Sequence, residues 1–433
     1  MQAAEARAQW CTIRGFQNED LRIQAPERKS DNKFMSVPQR RNLCWRFAAI
    51  LCWAMLLIPL VLTCCDLLAQ NAGSNNVSIL TEARLKAPGW WPTKGDRSRD
   101  DYVGAAACAK CHASQAALFQ STAMARAATR AVDADSLREN PHLTFQIGSY
   151  RYQIDNSAGS NVLKISARGS SLSTNLLWAF GTGRIGQTYV YEKNDHYYES
   201  HLTFYTVPQT LDVTPGHPHT EPPNLEEGAG RRISIEETRR CFGCHTTAST
   251  TKNGFEPQTM FLGVTCEACH GPGADHVAAT RSGMDELVIS SIVNSARLTP
   301  AESVDFCGAC HRTWQDVVSD GPTRIGTLNV RFAPYRLENS QCWKKGDARI
   351  TCITCHDPHR PLSLDPASYD SRCLQCHLAA GATKSDDHPG TACPVGVQLC
   401  VTCHMPKFRN SAMHTTFTDH WIRIAPPGAP LPD

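Results

Sequence analysis

Cys108-Ala109-Lys110-Cys111-His112 is the first of seven copies of one pattern, Cys-x-x-Cys-His, and that pattern decides how this chain is read. The others are Cys241-Phe-Gly-Cys244-His245, Cys266-Glu-Ala-Cys269-His270, Cys307-Gly-Ala-Cys310-His311, Cys352-Ile-Thr-Cys355-His356, Cys373-Leu-Gln-Cys376-His377 and Cys400-Val-Thr-Cys403-His404. A random chain of this composition, with 21 Cys and 17 His in 433 residues, would hold about 0.04 copies. The pattern suits c-type haem attachment. Two thiols form thioethers to the porphyrin, and the next imidazole is held where it reaches the iron. Cys-x-x-Cys pairs also bind zinc, but zinc takes two such pairs per ion and needs no His after each. All seven pairs carry that His, so the expectation is seven covalently bound haems c, with His112, His245, His270, His311, His356, His377 and His404 as proximal iron ligands. A zinc scaffold is the weaker alternative.

Composition bounds the rest. The formal charge of +2 gives no signal for nucleic acid or for a charged membrane surface. Residues 1–46 hold nine Lys and Arg against five Asp and Glu, so this tail is basic and the remainder slightly acidic. Two propionates per haem would add about fourteen negative charges to the assembled protein. Beyond the fourteen motif cysteines, Cys11, Cys44, Cys52, Cys64 and Cys65 lie near the N-terminus, and Cys342 and Cys393 stand alone later. Those two would either form a disulfide in an oxidising compartment or pack as small apolar thiols.

Haem attachment of this kind implies export, to the periplasm or another extracytoplasmic space. Phe47 to Cys65 carries no charge and follows Arg40, Arg41 and Arg46. The segment 47–69 therefore reads as a signal peptide cleaved near Ala69, or as a membrane anchor. Met35 offers an alternative start that would leave an n-region of ordinary length. Residues 70–100 read as a linker, broken by Pro88, Gly89, Pro92 and Gly95.

The first motif belongs to a segment at 101–142, in which Ala113 to Val132 reads as a helix. Residues 143–213 contain no motif. Phe145, Ile147, Tyr150, Tyr152 and Ile154 alternate with polar neighbours, as do Leu163 and Ile165, which predicts a small antiparallel β insert. It is read as a cover over the first haem, with Asn194-Asp195 as a hairpin turn. The remaining six motifs crowd into 214–421, starting 25, 41, 45, 21 and 27 residues apart. Such gaps admit short helices and no separate hydrophobic core. The expected fold is thus mainly α with little regular structure, built around stacked haems, with the small β insert. Residues 422–433 form a Pro-rich tail.

A low-spin electron-transfer haem needs a sixth ligand, whereas an open position permits chemistry. His276, His359, His414 and His420 stand near motifs, and each is too close in sequence to reach the far face of its own iron. Met124 is a further candidate, against core packing as its ordinary role. His142, His201, His217, His219 and His388 are weaker candidates, and His196 reads as solvated.

Tyr102 to His112, Gly263 to His276, Cys352 to His359, Cys400 to Pro406, Phe417 to Trp421 and, in the insert, Gly181 to Tyr189 together resemble the multihaem cytochromes of the cytochrome c-554/c-prime type, relatives of hydroxylamine oxidoreductase and cytochrome c nitrite reductase. That resemblance implies distal ligation by His276, His359, His414 and His420, with Met124 a stronger candidate than its sequence position makes it. Two departures limit it. No tetratricopeptide repeat follows the motif region, and no motif replaces its final His with Lys.

The expected function is an exported electron carrier that hops electrons from haem to haem. Its partners would be a quinol oxidase module, other cytochromes or a terminal reductase. The alternative is an oxidoreductase acting on a small nitrogen or sulfur compound at one five-coordinate haem, with Arg184, His196 or His201 near the substrate.

Overall fold

The computed structural model describes residues 97–433 apart from 158, 320–325, 327, 345–349, 378–392, 394, 427 and 433. The basic tail, the apolar stretch 47–69, the five N-terminal cysteines, most of the linker and His388 lie outside the described residues. Among the described residues no helix is long and apolar enough to cross a membrane.

Alternating side chains in residues 128–232 build two antiparallel sheets. A short strand, β1 (Ala128–Arg130), is followed by a four-stranded meander of β2 (His142–Ile147), β3 (Tyr150–Ser157), β4 (Ser160–Ala167) and β5 (Ser170–Asn175), each paired with the next. The second sheet runs β1, β6 (Trp178–Phe180), β7 (Gly186–Lys193), β8 (His196–Tyr205), β10 (Gly230–Arg232), with β9 (Thr210–Val213) also on β8. Asn194 and Asp195 both have positive φ, 51° and 59°. That is the two-residue hairpin conformation whose twist matches the flanking strands of β7 and β8.

Burial follows the period of two. Tyr152, Ile154, Leu163 and Ile165 of the meander share one core with Tyr189, Tyr191, Leu202 and Phe204 of the larger sheet. Val190, between those two tyrosines, points the other way and packs with Ala128, Trp178, Phe180 and Phe242. Phe242 lies inside the second motif. The larger sheet is therefore clad on one face by the meander and on the other by the helix Ile235–His245.

Two expectations are corrected here. The fold is not mainly α with a small insert, because the described residues hold sixteen strands in five sheets. The insert's alternation recruits β1 before it and β10 after it, and three further two-stranded ribbons lie among the later motifs. The long helix expected from Ala113 to Val132 stops at Gln120. A turn follows, in which the Thr122 hydroxyl accepts the Ala125 N–H at 3.1 Å. Ala128 then opens β1 within the sheet and is only 3% exposed. Tertiary burial outweighs the helix propensity of alanine.

Elsewhere the chain forms short helices, and the motifs ride on them. Capping residues start the longest ones. The Ser234 hydroxyl accepts the Glu237 N–H ahead of Ile235–His245, and Thr299 and Glu302 form a capping box, with Pro300 in the first turn, ahead of Pro300–His311. The largest apolar cluster among the described residues outside the sheets is Phe306 and Ala309 with Cys269, Val293 and Leu298 around them. The motif segments enclose space instead of closing on one another.

Candidate haem-binding centre

That space is one cavity of ≈ 3090 Å³, and cysteine and histidine side chains from all seven motifs line it. Shared among seven motifs it gives about 440 Å³ each, within the ~300–1,000 Å³ of an ordinary cofactor site. Most of its wall is apolar, which suits porphyrin faces.

Sulfur contacts order the motifs. Cys108 touches Cys266, Cys307 touches Cys352, and Cys373 touches Cys400. Cys269 and Cys307 lie near enough to influence each other's charge, as do Cys355 and Cys376. The second motif joins from the side, where the Cys244 thiol donates to the Ala309 carbonyl at 3.6 Å. The motifs thus run first, third, fourth, fifth, sixth, seventh, with the second branching at the fourth. Burial pushes the Cys241 and Cys269 thiols up to about 12, so both are neutral at pH 7.

Histidine geometry gives a sharper test of fit. Two imidazoles that share an iron through Nε2, at about 2 Å per Fe–N bond, place their ring centroids about 6.3 Å apart. His112 and His276 are 6.5 Å apart, His270 and His359 are 6.1 Å apart, and His356 and His420 are 6.2 Å apart. The interplanar angles are 27°, 7° and 50° respectively. The unused ring nitrogens agree. Nδ1 donates to a backbone carbonyl in His245 (Ala127, 3.0 Å), His270 (Val293, 2.7 Å), His276 (Val288, 2.9 Å), His404 (Arg423, 3.1 Å) and His420 (Thr418, 3.2 Å). Each bond fixes the tautomer that leaves Nε2 as a lone-pair donor. Burial lowers the pKa of His245, His311 and His356, and that of His420 to about 4, which keeps them in the neutral form a metal requires. These residues fit the group.

The other sequence candidates are placed differently. Met124 lines the cavity. His414 does not: its Nε2 meets the Asp212 carboxylate at 2.7 Å and its ring lies against Tyr205. His142 and His196 are exposed at the starts of β2 and β8, beside Asp155 and Arg232 respectively. His201 and His217 are buried together in the β region, with Glu199 on His217. Arg184, His196 and His201 are not among the residues lining the cavity. No disulfide joins Cys342 to Cys393; both line the cavity.

The comparisons with known proteins agree with this site. Residues 216–271, spanning the second and third motifs, match the family model described as cytochrome c554 and c-prime. This chain is a multihaem cytochrome related to that family. It is 28% identical over 116 residues to cytochrome c-554 of Nitrosomonas europaea, covering 22% of this chain and 46% of that protein. It is 23% identical over 187 residues to the multiheme cytochrome MtrA of Shewanella baltica, covering 34% of this chain and 55% of that one. The matches thus span about half the length of these curated relatives. The solved outer cell wall cytochrome OcwA aligns with 75% of this chain and 80% of its own, at TM-score 0.41 and 14% identity. The cytochrome binds haem c covalently and has a redox role. Sequence reasoning missed Glu267, Arg336 and Asp419, which are buried charged residues; the partners that bury them include segments remote in the chain, Val103–Gly104 for Glu267 and the Arg336–Asp419 pair itself, which no local signal marked.

Proposed function

We propose that this cytochrome is an exported electron carrier holding seven haems c in one connected, branched series. The supporting observation is the single cavity that all seven motifs line, with their sulfurs in contact or close approach from the first motif to the seventh. When bound, haems supply iron centres that exchange one electron at a time by outer-sphere hopping. The chain's own residues set the terms of that exchange. Fourteen cysteines would hold the porphyrins through thioethers, and the motif histidines would each bind an iron. His276, His359 and His420, facing the histidines of the first, third and fifth motifs, would bind the same irons. The Nδ1 bonds to backbone carbonyls hold the rings in place and raise their basicity as ligands.

Two ends of the series fit electron entry and exit, the first motif and the seventh, and the second motif offers a branch. Export follows from the attachment chemistry and from the apolar segment 47–69, which serves as a signal peptide or an anchor. The redox partners are other cytochromes, a quinol oxidase module or a terminal reductase. A pyridine haemochrome assay with protein quantitation is expected to give seven haems per chain in fully matured protein. Fewer than six would remove the count, and a colourless protein would remove the reading.

A further inference from the structure

Glu267 occupies the first variable position of the third motif, yet every hydrogen bond its carboxylate makes serves the first. The side chain is buried, with Glu267 only 1% exposed. Its Oε1 accepts the N–H of Val103 at 2.9 Å and of Gly273 at 2.8 Å, and its Oε2 accepts the N–H of Gly104 at 2.8 Å. A carboxylate removed from water needs such charge-assisted bonds to offset its lost hydration. Three backbone donors supply them, two from the remote Val103–Gly104 segment and one from Gly273, six residues further along the chain.

Those two segments are the two walls of one site. Val103 and Gly104 lead into the helix Ala105–Cys108, which delivers Cys108 and then His112. Gly273 caps the helix Ala274–Ser282, which carries His276 in its first turn. The two rings stand 6.5 Å apart. Gly273 is itself closely fitted, since a Cβ there would meet Val103 Cγ2 at 3.0 Å and Glu267 Oε1 at 3.2 Å. Gly104 has φ +78°, a conformation that other residues enter only with strain.

We infer that Glu267 is a positioning residue for the first haem: from within the third motif it sets the spacing of His112 and His276. This rests on the reading that those two histidines face one iron. A consequence is that the first haem site assembles fully only once the third motif is folded against it, so ligation at the two is coupled.

The test is electron paramagnetic resonance of oxidised, fully haem-loaded protein, counting low-spin and high-spin haems per chain, for Glu267→Gln, Gly273→Ala, His276→Ala and the double variant Glu267→Gln/His276→Ala. In Glu267→Gln an amide replaces one acceptor oxygen and points donors at donors, so one low-spin haem equivalent per chain is expected to be lost. Gly273→Ala presses on the same contact and is expected to lose the same equivalent, should Glu267→Gln not accumulate. His276→Ala loses that equivalent as well, and the double variant is expected to lose no second one. Unchanged spin counts in Glu267→Gln or Gly273→Ala overturn the inference. So does a second high-spin haem in the double variant, which would mean that Glu267 acts at another haem. If His276→Ala alone leaves the spin count unchanged, the ligand assignment fails, and that result is distinct from either of the others.

Discussion

Replacing Arg336 with Met is expected to destabilise the cytochrome by up to about 3–5 kcal/mol, the range for removing one partner of a buried ion pair, with Arg423 still bound to Asp419. Arg336 and Asp419 are 1% and 0% exposed, and the guanidinium grips the carboxylate with both arms, at 2.8 and 2.9 Å. Arg423 adds a second cation at 2.6 Å, and the Trp421 ring lies within cation–π range of both guanidinium groups, at 5.1 and 5.4 Å. This clamp holds the segment that carries His420, and the carbonyl of Arg423 in the same segment receives Nδ1–H of His404. Urea unfolding followed by far-ultraviolet circular dichroism measures the loss. A change below about 1 kcal/mol would place the pair among weak surface bridges.

Its pH dependence has a definite sign. Burial by itself would raise the Asp419 carboxyl, but hydrogen bonds from Arg336, the Trp421 N–H and Arg423 outweigh it and hold the group below the ordinary carboxylate range. A depressed folded pKa contributes stability that is present above the unfolded value, about 3.9, and is lost as pH falls through the folded value. The difference between native protein and Arg336→Met should therefore be full at neutral pH and shrink under acid. A gap that widens on acidification would contradict this account.

Removing the proposed distal histidines one at a time is expected to give the largest spectroscopic effects. His276→Ala, His359→Ala and His420→Ala should each convert one haem from low to high spin, because an imidazole is lost from a six-coordinate iron. The signals that vanish should differ in shape. The rings of His270 and His359 are nearly parallel, at 7°, whereas those of His356 and His420 are twisted by 50°. Parallel ligand planes split the iron d orbitals in one direction and give a rhombic low-spin signal; twisted planes average the splitting and give a more axial one. His359→Ala should remove the more rhombic component, and His420→Ala the more axial. Loss of the same component from both would break the pairing, and unchanged spectra in all three would remove these residues as ligands.

Much of this is written locally. Five residues in a row specify a haem attachment site because thioether and axial bonds need only two thiols and an adjacent imidazole, and both lie within one helical turn. The alternation through Tyr150 to Ile154 is local in the same way, since a strand shows its faces every second residue. The extent of sheet was not legible, because β1 is an alanine-rich stretch that becomes a strand only when Trp178 to Phe180 lies beside it.

Partnership was decided by the tertiary structure. A histidine close behind its motif cannot turn back over its own iron, but which other motif it meets depends on how segments far apart in sequence dock. His276 follows the third motif and faces the first; His359 follows the fifth and faces the third. Glu267 reads as a polar filler between two cysteines until Val103, Gly104 and Gly273 converge on it, and Arg336 and Asp419 read as surface charges until the fold removes both from water. The sequence alone determined which groups this chain can bind and the residues that attach them. Which histidines stand face to face, and in what order the motifs follow one another in space, was decided only by folding, because those relations depend on distances of a few ångströms between residues that no local pattern links.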